Sequence, residues 1–480
     1  MTTDQAETPS LQYKLCPRCG YATVSDNDRC QHCLRDIARA RILEPEAAKR
    51  RLAKQAVVEA ERAAAKASDL RRVRYLRGLG VVLLIGLIGW WCYKSFIWEP
   101  PPVPQPSSTE RSVISSGDVW STSGGDLAGT RSTPASPQLE GEAAWSRSLA
   151  VPPATGMIAD SERLYVTLND NMIVALNQDD GSIAWERELS VVPFAAPTLA
   201  GGTLYVPMRG GQLLALDAVT GDEVFASLTT KTRFGTSPLI DGGVAYVFGI
   251  GALFGFDAET GEVLWQTEID SPWGFVNPVL DDNFVATVTG NRSLVFDRVT
   301  GVESYFYEFE RANPYAVALV DGDVYTFSSR FGTAYDVESR RPWWEGVRAV
   351  WEQFWVWGMA PDVPLRPAIW VGSDPPKDGY PAAVTDDLLL LGGPSGDLVA
   401  ISRADGSEVW RIARAPIVGP PLATADGLLV VHADRVATYD FATGTLMTER
   451  LFEGPRLHDV VVTTGGTFIA NVDGEISVYR

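Results

Sequence analysis

Four cysteines near the start of the chain carry the strongest chemical signal. Cys16 and Cys19 sit in CPRCG, Cys30 and Cys33 in CQHC, with ten residues between the pairs. Each CxxC turn aims two thiolates at one centre, so two such turns can surround Zn²⁺ tetrahedrally and leave no coordination position open. That chemistry is structural rather than catalytic. His32, between two ligands, is expected to be an exposed bystander. Cys92 is the fifth cysteine and none follows it, which excludes a disulfide-stapled ectodomain.

Residues 11–37 resemble a short zinc ribbon. After it, Pro45 to Arg77 is rich in Ala, Glu, Lys and Arg with no internal Gly or Pro, which predicts a solvated helical spacer over 45–77. Residues 78–98 are apolar and end in Trp90, Trp91, Tyr93 and Trp98. About twenty helical residues span roughly 30 Å, the thickness of a bilayer core, so one transmembrane helix is expected. Arg71, Arg72, Arg74 and Arg77 precede the span. The positive-inside rule then puts the N-terminus in the cytoplasm and the remainder outside, a single-pass arrangement in a cell membrane. Residues 99–140, rich in Pro, Ser, Thr and Gly, read as a flexible linker.

The rest of the chain repeats. Gly141, Gly181, Gly221, Gly261 and Gly301 recur every forty residues, each followed four positions on by Trp145, Trp185, Phe225, Trp265 or Tyr305. Arg340 with Trp344, Gly406 with Trp410, and Gly444 with Thr448 continue the series to eight copies. Within one copy, Leu204 to Phe225, alternating apolar residues mark strands and DAVTG (Asp217 to Gly221) marks a turn closed by an Asp side chain and a positive-φ glycine. A forty-residue period of short strands is the signature of a β-propeller. The chain ends at GEISVYR, which aligns with GQLLALD of an earlier copy, so the last blade lacks its outer strand. GEAAWSRSL (Gly141 to Leu149) has the glycine-to-Trp spacing but no strands before it. An N-terminal strand therefore closes the ring. The expected fold is an all-β, eight-bladed propeller over 141–480, preceded by the ribbon, spacer and membrane helix.

The Ala175, Gly181, Trp185 spacing, repeated at Ala215, Gly221, Phe225 and at Ala400, Gly406, Trp410, resembles the tryptophan-docking motif of the pyrroloquinoline-quinone (PQQ) type of eight-bladed propeller. The resemblance implies a ring clamped between neighbouring blades. Enzymes of that family hold calcium and quinone at a central funnel, and the alcohol-oxidising members set two adjacent cysteines against the cofactor. This propeller has no cysteine and no alignable calcium set, so PQQ is not expected. The pattern is closer to non-catalytic envelope propellers, such as the lipoprotein of the outer-membrane β-barrel assembly machinery.

Loops joining one blade's outer strand to the next blade's inner strand converge on one face. There Arg233, Trp273, Asn277, Arg311 and His458 are the candidate ligand or partner contacts, since cations beside aromatics suit an anionic or sugar-like ligand. Equally, such residues can simply cap the funnel. One stretch, about 343–380, breaks the period and is dense in tryptophan. Its Trp351 and Trp355 fall at helical spacing and either form a binding hot spot or pack on the blade below.

Net charge is −19, with 17 Lys/Arg against 10 Asp/Glu in residues 1–98 and 24 against 50 afterwards. The acidic propeller argues against nucleic acid. The reading is a membrane-anchored, extracytoplasmic, non-catalytic scaffold that binds a protein at the cell envelope. The alternatives are a PQQ-dependent dehydrogenase and a transmembrane sensor coupling a propeller ligand to a cytosolic partner of the ribbon.

Overall fold

A computed structural model describes residues 12–96, 103–269, 276–309, 313–337, 348–361, 368–372, 375–394 and 396–480. The chain divides into two compact units, Met1–Pro100 and Pro101–Arg480.

In the first unit, strands Tyr13–Leu15 and Ala22–Val24 pair antiparallel, and each cysteine pair sits in its own knuckle. The Gly20 amide donates to the Cys16 carbonyl at 2.9 Å, and the Leu34 amide to the Cys30 carbonyl at 2.9 Å. The two turns are thus built alike. Each ends on a left-handed residue, Gly20 at φ +70° and Leu34 at φ +59°. The helical spacer and the apolar span form one continuous helix, α1 (Pro45–Phe96). Its stretch long and apolar enough to cross a membrane is Tyr75–Tyr93, three residues earlier at its start than residues 78–98. The aromatic side chains of Tyr75, Trp90, Trp91 and Tyr93 all lie on its exposed surface.

The second unit is an eight-bladed propeller. Seven four-stranded sheets and one six-stranded sheet each run antiparallel from an inner to an outer strand. Blade 2 is representative: Thr198–Ala200, Thr203–Met208, Gln212–Asp217 and Glu223–Ala226. The middle strands are buried on both faces because they lie between neighbouring blades, so their sequences are continuous apolar runs. At the DAVTG turn the Asp217 carboxylate accepts the amides of Val219 and Thr220 at 2.9 and 2.8 Å. Ring closure is by Trp145–Ser148, which pairs as outer strand with Glu475–Tyr479, Trp145 opposite Val478.

Most of the described joints between blades share one physical form. A Cβ added to Gly221 would lie 2.7 Å from the Trp185 ring, and one added to Gly181 would lie 2.5 Å from the Trp145 ring. The glycine is required twice, by this contact and by its φ of +76° or +69°. Three of these indoles also donate to the adjoining blade: Trp145 to the Gln178 carbonyl at 2.6 Å, Trp185 to Ala218 at 3.0 Å, and Trp410 to Phe441 at 2.7 Å. Two residues beyond the ring, Arg147 and Arg187 donate to the carbonyls of Gly181 and Gly221, both at 3.1 Å. At the closing joint Thr448 stands where an aromatic is expected, and no atom lies within 4 Å of a Cβ at Gly141. Arg450 replaces the clamp: it donates to the carbonyls of Leu139 and Gly141, both at 2.7 Å, and lies 4.1 Å from the Tyr479 ring centre.

Two sequence expectations change here. Arg340 and Trp344 lie outside the described residues, and the outer strand of blade 5 is Trp370–Gly372, with Trp370 opposite Ala334. Trp370 is the anchor. Its ring meets Gly406 and its indole donates to the Arg403 carbonyl at 2.9 Å. The insertion therefore lies within blade 5, between its third and outer strands, and stretches the usual ten-residue Ala-to-Trp spacing.

The second correction concerns 99–140. Its described part, residues 103–140, is packed into the propeller rather than being a flexible linker. The Ser107 amide and hydroxyl bond the Asp257 carboxylate, and Arg111 pairs with Glu259 at 3.2 Å. A small hairpin, Ser115–Ser116 with Val119–Trp120, extends blade 1 on its inner side through Trp120 opposite Ala159. Trp120 and Arg131 are buried. Polar, small residues read as a linker because nothing in their composition reveals a narrow channel that admits only small side chains.

The joint makes a direct prediction. Trp185→Ala should cost about 3–5 kcal/mol in the propeller's stability, the usual price of removing a buried large ring. Gly221→Ala should cost at least about 2 kcal/mol through overpacking and its left-handed backbone. Because the two act at one contact, the double variant should lose clearly less than the sum in chemical denaturation; additive losses would refute the joint.

Candidate functional site

The four cysteines converge as their spacing requires. Cys16 and Cys33 sulfurs are 3.6 Å apart, as are those of Cys19 and Cys30, and all four lie within 4.8 Å of one another. Four sulfurs at a Zn–S distance of about 2.3 Å would sit about 3.8 Å apart, so the donor set fits a tetrahedral ion. Burial opposes ionisation of Cys30, but the amides of Cys33 and His32 outweigh it and bring the thiol down to about 6. The His32 amide lies 3.4 Å from the Cys30 sulfur. The His32 ring stacks on Tyr21, centroids 5.0 Å apart, and is not among the clustered ligand atoms. Four converging sulfurs, with the nearby imidazole stacked away, form a donor set suited to one metal ion.

On the propeller, the loop face opens into an axial cup of about 240 Å³ lined by Tyr380, Asn277, His458, Asp459 and, from the segment before the first blade, Trp120, Ser123 and Arg131. Of the sequence candidates, Asn277 and His458 reach it. Arg233 is exposed and its carbonyl accepts the Ile250 amide at 3.0 Å; it is not in the cup lining. Trp273 and Arg311 lie outside the described residues.

Asn277, Arg131, Asp459 and Asp126 in the cup are engaged in internal bonds. Asn277 accepts the Ser237 amide at 2.9 Å and donates to the Ser123 hydroxyl at 2.7 Å. Arg131 donates to the carbonyls of Pro421, at 3.1 Å, and Ser123. Burial lowers the Arg131 guanidinium to about 10, against the field of Asp459, so it stays charged at neutral pH. Asp459 accepts the Met157 amide at 2.8 Å. Desolvation raises its carboxyl above the ordinary range, against that amide, His458 and Arg131. Asp126 is turned back on Thr130. A quinone–calcium centre needs free carboxylate and amide oxygens converging on one ion. This cup commits them to internal bonds, and it is smaller than the roughly 300–1,000 Å³ usual for cofactor sites. The residues present do not fit the quinone.

The opposite face carries a wider depression of about 1050 Å³ whose lining includes Asp241, Asp281, Asp282, Asp321, Asp323 and Asp336. Such a surface repels phosphate backbones, in keeping with the acidic composition. In the blade 5 insertion, helix α2 (Arg348–Val356) holds both tryptophan candidates. Trp351 is half-buried and its indole donates to the Pro361 carbonyl at 2.9 Å. Trp355 is 49% exposed, and Val356, Trp357 and Met359 are more so. Trp351 thus helps to fold the insertion while Trp355 faces outward.

Sequence reasoning missed three residues that shape the cup: Trp120, Arg131 and Asp459. Trp120 and Arg131 sit in a stretch without periodicity, and Asp459 follows the singled-out His458 without any motif. An arginine and a tryptophan inside a Ser/Thr/Gly-rich segment were the available signal.

Among solved structures, BamB from Moraxella catarrhalis matches at 18% identity, covering 70% of this chain and 98% of that one, with a TM-score of 0.55. Quinohemoprotein alcohol dehydrogenase from Comamonas testosteroni matches at 15% identity, covering 75% and 80%, with a TM-score of 0.54. The computationally designed Ika8 protein matches at 13% identity, covering 71% and 100%, at 0.57. A catalyst and a designed ring share this fold, so these likenesses speak to fold alone. No curated protein sequence matches the chain. A family profile described as outer membrane protein assembly factor BamB matches residues 135–345 and 333–470. With its docked tryptophans and strand-closed ring, the chain belongs to that family of PQQ-type propellers.

Proposed function

We propose that this protein is a single-pass membrane protein whose propeller works outside the cytoplasm as a non-catalytic scaffold for a protein partner at the cell envelope. The observation that carries the reading is the axial cup, where Arg131, Asp459 and Asn277 are held in internal bonds. With these three groups held, the propeller acts through its surface. The family's description as an outer membrane protein assembly factor supports a protein-binding role. The arginines before Tyr75–Tyr93 support a cytoplasmic N-terminus. The four cysteines hold a structural Zn²⁺ there, where thiols stay reduced. The outward-facing Trp355 and its neighbours on α2 are the contact surface.

The test combines topology with capture. Protease added to spheroplasts should degrade the propeller and spare the ribbon. In cross-linking from native membranes, Trp355→Ala should weaken partner recovery by about thirtyfold, equivalent to ~2 kcal/mol at a hot spot, with an unchanged melting temperature. Trp351→Ala should lower stability as well. A protected propeller would overturn the orientation, and undiminished capture by the Trp355 variant would remove α2 from the interface.

The zinc reading has its own check. Freshly purified protein should contain one Zn²⁺ per chain, and Cys16→Ser or Cys33→Ser should lose it together with the ribbon's fold. Propeller melting should not move. Metal content near zero in the unaltered protein would contradict the site.

A further inference from the structure

Residues 113–135 touch the inner strand of every blade. The Val113 amide donates to the Ile240 carbonyl at 2.8 Å. In the other direction, inner-strand amides of Leu199, Leu280, Leu319, Val384 and Ala423, and the amide of Thr464 just after the inner strand of blade 8, donate to carbonyls of Ser121, Leu127, Ala128, Thr130, Arg131 and Gly117 at 2.7–3.2 Å. Blade 1 is reached through Trp120 opposite Ala159. This is one strap meeting all eight blades, mostly as the acceptor, although the Thr133 amide also donates to the Ala423 carbonyl at 2.9 Å.

The inner strand of a blade is a sheet edge whose N–H and C=O groups face the axis. In a ring these edges surround a channel, and whatever enters it must offer its backbone to them and turn tightly at its tip. The strap meets both conditions. A Cβ at Gly129 would lie 2.6 Å from Val279 Cγ1, and one at Gly125 would lie 2.8 Å from the Trp120 ring. Both glycines are left-handed, at φ +69° and +80°, and they reverse the chain inside the channel. The tip is closed on itself: the Gly125 amide bonds the Thr122 carbonyl, the Arg131 amide bonds the Gly124 carbonyl, both at 2.9 Å, and Asp126 holds Thr130. Beyond it, Gly141 and Glu142 are exposed.

We propose that the axial channel is a peptide-binding site, and that residues 113–135 are its ligand, donated in cis and held by the ring rather than merely tethered to it. The ligand class is a peptide with a reversing glycine tip, read through its backbone, mostly its carbonyls, by the inner strands. The strap forms the floor of the loop-face cup, so docking decides whether that cup exists. This goes beyond the scaffold reading and does not depend on α2.

The test uses the full-length protein with a protease recognition sequence inserted between Gly141 and Glu142. After cutting, the N-terminal fragment should stay with the propeller through size exclusion in detergent and separate only in denaturant. A labelled synthetic peptide of residues 103–139 should replace it slowly, at one per ring. Gly129→Val should speed release at least tenfold, with faster hydrogen exchange at Leu280, Leu319 and Val384 but not in the outer strands. Should that variant fail to fold, Asn277→Ala, which removes the side chain holding Ser123, should speed release severalfold. Prompt dissociation of the cut fragment, with no change in melting temperature or inner-strand exchange, would overturn the proposal. So would release rates unaffected by both substitutions.

Discussion

A tryptophan ring pressed against a left-handed glycine of the next blade is the contact on which this molecule depends. A blade is a four-stranded sheet with two apolar faces and cannot stand in water alone. Each joint removes one such face from solvent and fixes the angle to the next sheet. The ring supplies area, the missing Cβ lets it approach, and the indole N–H prevents sliding by finding a carbonyl across the joint. Eight sheets then close, and Trp145–Ser148, from the start of the propeller, supplies the outer strand of the last blade. The joint that lacks an aromatic shows what is essential. Arg450 reproduces the cross-joint hydrogen bond to Gly141 and covers the Tyr479 ring, so geometry is kept although the residue type changes.

Much of this was legible because it repeats. Glycine, aromatic and apolar periodicity report the same local event many times, and a repeated signal survives variation in any one copy. The cysteine pairs were legible for a different reason: metal coordination restricts both residue type and spacing. The blade 5 anchor was misplaced because an insertion separates Ala334 from Trp370, and spacing was the only guide. Asn277 and His458 were found at the funnel, but Asn277 is spent on joining Ser237 to Ser123. The strap was the largest omission. Its small and polar composition is what a flexible tether needs and also what a narrow channel lined by backbone amides demands, so composition alone cannot separate the two.

These features bear on function together. The fold supports catalysts and non-catalysts, and the difference lies in what occupies the axis. Here the axis is filled by the chain's own backbone, the guanidinium of Arg131 is committed to carbonyls, and the carboxyl of Asp459 accepts an amide. Chemistry at the funnel would require groups free to change partner during a reaction. The surface, by contrast, offers an exposed aromatic helix and a strongly acidic face, which are features of recognition. The measurement closest to this claim is calorimetric titration of the full-length protein with PQQ and Ca²⁺, followed by dye-linked oxidation of alcohols and sugars. The account predicts no saturable quinone binding and no turnover. Micromolar quinone binding accompanied by turnover would contradict it.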